Sequence, residues 1–597
     1  MTRLHNDPDA FAQEALEGFA AAHAERVRAV PGGVVRRGGP TAGQVAVVIG
    51  GGSGHYPAFT GLVGRGLAHG AAVGEVFASP SAHRVQQVAR VANGGAGVLL
   101  AYGNYAGDVL HFGEAAQRLT AEGIEARTLA VTDDVASGPP HEAHRRRGVA
   151  GDLVVFKAAA AAAESGASLA EVARIAGHAN ARTRTFGLAF SGCTLPGAAD
   201  PLFQVPDGRM AVGLGIHGEP GIAEEAAPSA DEAAERLVAR LLAELPDGVQ
   251  SAAGQRVGLL LNGLGALTHD ELFIVYRRVA ELLAAAGVEV VDPEVGELCT
   301  SFDMAGLSLT LVWLDAELEA LWRAPADAPA LRRGSLPAPP TGGADGGNQV
   351  AVTPTAPDAR APIPPATRDS RHLAGRVVDT LDDIARALDE HADELGRIDA
   401  VAGDGDHGIG MRHGSAGALA AARAALAAGA GAGTVLSEAA DGWSDRAGGT
   451  SGALWGVILR ALGAALGDTE RATPTVAAAG ATDAAEAVMR LGGAAVGDKT
   501  MVDALVPFAD TLRAAAERGE PLDNAWREAA AAATEAAART ADLLPRAGRA
   551  RTHAGKSLGT PDAGAHSLGL VVRTAHQRLF RPAQASGGKL TDTLPRS

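Results

Sequence analysis

Up to residue 323 the chain alternates between short β-branched runs and amphipathic, alanine-rich segments. The runs at residues 45–49, 97–100, 128–131 and 257–262 are brief and lead into Gly, Asn or Asp. Apolar runs of that length bounded by turn residues predict strands, with helices between them. Strand–helix alternation predicts an α/β layer fold, in which sites gather at the carboxyl ends of strands. From residue 368 to about 579 nearly every segment is helix-forming and is broken only by Gly-rich loops, which predicts an all-helical domain. Between these halves, residues 324–366 show no amphipathic period and hold ten of the 31 prolines. Proline blocks helix interiors and central strands, so this stretch predicts an extended linker. The expected division is residues 1–323, a linker at 324–366, and 367–597.

Composition narrows the function classes. A hydrophobic fraction of 47% against 20% charged excludes global disorder. The 52 basic and 69 acidic residues leave a net charge of −17, which argues against nucleic acid or an anionic membrane as partner. Two cysteines, Cys193 and Cys299, cannot build a disulfide framework. The polar N-terminus and the lack of an apparent uncharged apolar stretch of about 18 residues predict a cytoplasmic protein with no membrane span.

Several motifs carry chemistry. The first strand runs into Gly50-Gly51-Gly52-Ser53-Gly54-His55-Tyr56-Pro57, where a Gly-rich turn lets backbone N–H groups approach a small ligand. A tight turn alone would account for two of those glycines, not for four with a Ser and a His. Asp108, in Tyr102-Gly-Asn-Tyr-Ala-Gly-Asp108, reads either as a helix cap or as an acid/base group. His217 lies in Gly213-Leu-Gly-Ile-His217-Gly-Glu219-Pro-Gly221, at the end of a glycine-punctuated strand, with room for a ligand against its ring; it is a candidate nucleophile toward a carbonyl. In the helical half, Asp399, Asp404 and Asp406 fall within eight residues. Carboxylates that close repel one another unless a cation sits between them, and hard oxygen ligands suit Mg²⁺ with phosphates as co-ligands. Residues 448–452 (GGTSG) and 497–501 (GDKTM) add hydroxyls and N–H donors of the kind that hold a polyphosphate. Residues 550–557 match a loose phosphate-loop pattern, but an Ala-rich helix rather than a strand precedes them, so that reading is rejected.

Taken in order, GGGSGH, NYAGD and GIHGEPG, then GDGDHG, GGTSG, GDKTM and the GRA…DAGA tail resemble the ATP-dependent dihydroxyacetone kinases across both halves. The resemblance implies a ketose-binding domain of two α/β subdomains followed by an eight-helix barrel that binds ATP with two Mg²⁺ ions. It implies that His217 holds the substrate carbonyl as a hemiaminal, that His55 and Asp108 act as acid/base groups, and that Gly52, Ser53 and Gly54 line the sugar pocket. Asp399, Asp404 and Asp406 would hold the metal. His407, Gly408, Ile409, Gly410, Thr450, Ser451, Gly492, Met501, Arg549, Asp562, Ala563 and Gly564 would surround the nucleotide. A homodimer is implied as well.

Two positions depart from the family pattern. Tyr56 stands where a glutamate is usual, and Gly103 where a lysine is usual. Losing that charge changes the size and polarity of the sugar pocket, and room at Gly103 would suit a four-carbon ketose such as erythrulose. Three readings follow: a kinase phosphorylating a primary hydroxyl of a short ketose, a lyase that cyclises FAD to a cyclic FMN, or a carbonyl-binding regulator or phosphocarrier-type subunit with permanently held nucleotide.

Overall fold

The computed structural model describes residues 4–219, 221–336, 363–401, 403, 405–469, 471–546 and 557–580. Asp404, Arg549 and residues 337–362 of the expected linker lie outside the described residues. Two compact units divide the chain. One draws on Met1–Pro362 and Asp441–Gly456, the other on Ile363–Ala440 and Val457–Ser597.

In the first unit, β1 (Val27–Val30), β2 (Gly33–Arg36), β3 (Ala46–Ser53), β4 (Gly70–Val76), β5 (Val98–Gly103) and β6 (Ala126–Val131) form one sheet in the order β1-β2-β4-β3-β5-β6. β4, β3, β5 and β6 are parallel, and the β1–β2 hairpin adds antiparallel at one edge. Parallel strands are buried on both faces, which explains their continuous apolar runs. Val47, Ile49, Leu99 and Ala101 face one core. Val48, Val98, Leu100 and Tyr102 face another, with Val85, Val88 and Phe112. These last three come from α2 (Ala82–Ala92) and α3 (Ala106–Ala121), which follow α1 (Phe11–Ala22). β3 lies between β4 and β5, so successive connections leave it on opposite sides and open a crevice beyond its carboxyl end.

The sequence predicts that β3 stops at Ile49, yet it continues to Ser53. The glycines are what let it run on. A Cβ on Gly50 would collide with the Ala72 carbonyl of β4, and one on Gly52 would sit 2.8–3.0 Å from the Phe77–Ala78 backbone. Strand and loop can meet that closely only where no side chain intervenes.

After α4 (Asp152–Glu164) and α5 (Leu169–Ala181) comes a second sheet, of β7 (Thr183–Ala189), β8 (Arg209–Val212), β9 (Ala223–Ala226), β10 (Arg256–Gly263), β11 (Glu289–Gly296) and β12 (Gly306–Leu314). Its order is β11-β10-β12-β7-β8-β9, antiparallel except for the β10–β11 pair. α6 (Ala230–Leu242) and α7 (His269–Ala285) cover it, and both open on complete capping boxes, Ser229/Glu232 and Thr268/Glu271. α4 is buried all round, in a core that also contains Leu260, Val312 and Leu314 of the second sheet. Its alanine run therefore packs this unit's interior, where small side chains permit close approach on every face. After α8 (Ala316–Arg323) the chain stays on the unit. Ala326–Asp327 pairs antiparallel with Arg332–Arg333, Arg333 lies 4.1 Å over the Trp322 ring, and Ala328 and Leu331 are buried.

The second unit is helical, with no strand among its described residues. Its helices, including parts of two that extend into Asp441–Gly456, are α9 (Arg368–Glu390), α10 (Ala392–Asp399), α11 (His407–Ala427), α12 (Ala432–Ala447), α13 (Gly449–Leu466), α14 (Pro474–Gly492), α15 (Val502–Glu517), α16 (Leu522–Arg539) and α17 (Ala563–Leu579). α9 packs on α11 and α17, α17 on α16, α16 on α15, and α15 on α14. Buried alanines such as Ala529, Ala533 and Ala537 form these contacts. By length and composition alone α13 is long and apolar enough to cross a membrane, which leaves the sequence expectation standing. Its mean hydropathy is 1.3 over 18 residues, with 39% of that window buried. The expectation counted only uncharged runs, and α13 carries Arg460.

Candidate active site

His217 and His55 meet although 162 residues separate them. His55 follows β3, at the crevice, and its loop is stitched to the β11–β12 connection by Thr300 N–H donating to the His55 carbonyl and Phe302 N–H to the Gly54 carbonyl, each at 3.2 Å. His217 lies not at a strand end, as the sequence suggests, but in the β8–β9 loop. That loop turns through Gly213 and Gly218 at φ 71° and 85°, where a side chain would be strained. The two Nε2 atoms are 2.9 Å apart. His55 Nδ1 lies 2.8 Å from the Thr300 carbonyl oxygen, and His217 Nδ1 lies 3.0 Å from Glu219 Oε1.

Aromatic rings fix both imidazoles. His55 stacks on Phe77 at 4.8 Å and 6°, and Phe77 and Tyr105 each meet the His217 ring edge-on at 87°. Burial pulls the His55 imidazole down to about 3, with the neighbouring His217 adding to the effect, so His55 is neutral. A carbonyl only accepts hydrogen bonds, so neutral His55 carries its proton on Nδ1 and presents a lone pair at Nε2. Glu219 Oε2 also accepts from His217 N–H at 2.9 Å, and Arg147, paired with Asp134 at 2.8 Å, lies 4.0 Å behind it.

Asp108 sits in the first turn of α3, whose N-cap is Tyr105, so it is not the cap. It is 7% exposed; Ser79 donates to it, and its Oδ1 has no partner. Burial pushes its carboxyl up to about 7, against the opposing pull of Ser79. Its hydrogen bonding is separate from that of the histidine pair. Ser53 Oγ donates to the Gly74 carbonyl at 2.7 Å. Gly103 is not open space. A Cβ there would come within 3.2 Å of the Tyr105 ring and 3.3 Å of Asp152 Oδ2, so these two side chains already fill the room the sequence suggested.

In the second unit, Asp399 ends α10 and Asp406 precedes α11. Asp399 Oδ2 accepts from Gly405 N–H at 2.8 Å. Burial, with the Asp399 charge beside it, pushes the Asp406 carboxyl up to about 6. Asp399 is half-buried and Asp406 exposed, and two neighbouring carboxylates that repel one another fit a hard divalent cation, which would relieve both. Among the described residues no group of three His, Cys, Asp or Glu side chains is arranged to hold a metal, and the third candidate, Asp404, lies outside them.

His407 Nε2 lies 3.0 Å from Ser567 Oγ, tying α11 to α17. Gly408 packs against the Ala392 carbonyl, while Ile409 is exposed. Asp562 caps α17 through Ala565 N–H at 2.7 Å, and burial raises it to about 7. Gly564 lies against Met501, so these two expected nucleotide contacts are adjacent. Gly492 ends α14 and Gly410 lies in the first turn of α11. Thr450 and Ser451 open α13, in the segment that groups with the first unit.

Sequence reasoning assigned no role to Glu219, Arg147, Phe77, Thr300, Lys499 or Asp503. Glu219 was visible within its motif. Asp503 closes the GDKTM loop through Thr500 N–H at 2.8 Å, and Lys499 donates to the Ser557 carbonyl at 2.7 Å. The first spans three residues, whereas no local spacing announces the second, 58 residues apart.

A Dak1 domain matches residues 17–330 and a DAK2 domain residues 401–577. The chain belongs to the dihydroxyacetone kinase family. It is 57% identical to the L-erythrulose kinase of Pectobacterium atrosepticum, over 96% of this chain and 95% of that one. It is 54% identical to the D-erythrulose kinase of Mycolicibacterium smegmatis, over 96% and 98%. The crystal structure of the dihydroxyacetone kinase from C. freundii in complex with AMP-PNP and Mg²⁺ resembles it with a TM-score of 0.50 at 27% identity, covering 96% of this chain and 99% of that one.

Proposed function

We propose that the protein is an ATP-dependent kinase that phosphorylates a primary hydroxyl of a short-chain ketose, with erythrulose as the favoured substrate. It is a phosphotransferase with an alcohol group as acceptor. The observation that carries the site reading is the His55–His217 contact, which sets a nucleophilic ring nitrogen beside a second ring able to hand over or take up a proton. His217 captures the ketose carbonyl as a hemiaminal, which selects ketones and aldehydes over polyols such as glycerol. Asp108, raised to about 7, takes the proton of the attacking hydroxyl. His55 serves as acid/base at the carbonyl oxygen, and the Gly52–Gly54 backbone faces the sugar.

Asp399, Asp404 and Asp406 would hold two Mg²⁺ ions with ATP; when bound, the metal neutralises charge on the transferring phosphoryl group. His407–Gly410, Thr450, Ser451, Gly492, Met501, Arg549 and Asp562–Gly564 surround the nucleotide in this reading. The continuous run of neighbours α11, α9, α17, α16, α15 and α14 is in keeping with an eight-helix barrel. We further place the enzyme in the cytoplasm, as a homodimer.

Coupled ADP release with D-erythrulose, L-erythrulose, dihydroxyacetone and glycerol tests the reading. The expected order of kcat/KM is erythrulose, then dihydroxyacetone, with glycerol inactive. Turnover of glycerol as fast as of the ketoses would overturn carbonyl selection. Nucleotide that persists through dialysis with no ketose turned over would replace the kinase by a regulator.

A further inference from the structure

The hydrogen-bond chain through the histidine pair has acceptors at both ends. The Thr300 carbonyl closes one end at 2.8 Å and the Glu219 carboxylate the other at 3.0 Å, with the Nε2 atoms 2.9 Å apart between them. Each of these three junctions takes one proton. Two neutral imidazoles carry only two. Glu219 is held for its part: one oxygen accepts from His217 Nδ1, the other from His217 N–H at 2.9 Å. Arg147 stands 4.0 Å behind and is itself paired with Asp134. A carboxylate whose two oxygens serve two donors of one residue fixes the ring's tautomer as well as its place.

We propose that Glu219 is the positioning residue of the carbonyl-capturing imidazole: it keeps a proton on His217 Nδ1 and so makes the His55–His217 pair hold three ring protons, the third being the one the captured carbonyl oxygen needs. This rests on the ketose-kinase reading above. The step balances. The bridging proton passes from His217 Nε2 to His55 Nε2, and the entering carbonyl replaces the hydrogen bond between the two rings, which frees the His217 lone pair. That pair forms a bond to the carbonyl carbon while the C=O π bond breaks onto oxygen, and the oxygen takes the proton from His55. The pair carries one positive charge before capture and the alkylated His217 ring carries one after it, facing Glu219 throughout. No proton comes from solvent, and a neutral ketose enters without changing the charge of the site.

Glu219→Gln is the test, because an amide offers only one acceptor oxygen to the two donors. With a ketose labelled with ¹³C at C2, the wild-type carbonyl signal moves to a tetrahedral carbon on binding. The variant should show at least about tenfold weaker adduct formation and a raised KM for ketose, while Mg–ATP binding is retained as the check on folding. The ¹⁵N ring spectrum of the wild-type protein needs no variant and should show His217 protonated at Nδ1 before ketose is added. An unprotonated Nδ1, or equal adduct in Glu219→Gln and wild type, overturns the assignment to Glu219. Absence of any adduct in the wild type would instead overturn the hemiaminal reading on which it rests.

Discussion

The two candidate half-sites are built on opposite principles. In the first unit, the histidine pair is held by protein groups at every polar atom and by aromatic rings on its faces. In the second, Asp399 and Asp406 bring like charge together at a largely open loop, and no group of three metal-ligating side chains is arranged there among the described residues. One site is organised before its ligand arrives; the other is organised for a ligand that brings positive charge. A covalent capture step needs a ring fixed in one tautomer, whereas phosphoryl transfer needs charge neutralised at the moment the metal nucleotide binds.

Substitutions on each side should separate these roles. The largest effect is expected for Asp399→Asn, which removes the charge and leaves one acceptor oxygen where there were two; turnover should fall by about 10³-fold or more. Ketose adduct formation should be unchanged, and joint loss of both would show that the sites are not separable. His217→Ala should lower kcat/KM for ketose by roughly 10²-fold and leave Mg–ATP binding intact, as calorimetry would check. Asp108→Asn should lower kcat by about 10²-fold. In the wild type, a carboxyl raised to about 7 must be ionised to act as a base, so activity should rise as pH climbs through that value and fall below it. That limb of the profile should vanish in the variant. The smallest effect is on stability. A Cβ in Gly408→Ala would run into the Ala392 carbonyl, so the variant should lose about 1–3 kcal/mol, read as a lower Tm.

The same contrast governs how much was legible in the sequence. The α/β and helical halves could be read from the change of hydrophobic period, and the histidines and the aspartates from motifs in which residue type alone signals chemistry. What escaped was contributed from a distance. Phe77 reaches His55 because the sheet order sets the end of β4 beside β3, and Thr300 because the β11–β12 connection of the other sheet is hydrogen-bonded to the loop after β3. Phe77 has φ 55°, a backbone state that nothing in the sequence around it announces. At Gly103 the sequence showed a side chain missing but not what fills its place, because Asp152 is 49 residues further along the chain. Glu219 was legible as a residue, two positions from His217. Its role follows only from a loop that folds back on itself.

The division of labour is tested most directly by removing the metal. Protein stripped with EDTA and given ketose labelled with ¹³C at C2 should show the same tetrahedral carbon signal, with the same affinity, as protein supplied with Mg²⁺ and ATP, while turnover is absent until both are restored. An adduct that forms only in the presence of Mg–ATP would contradict the account, because the first site would then depend on the second for its organisation.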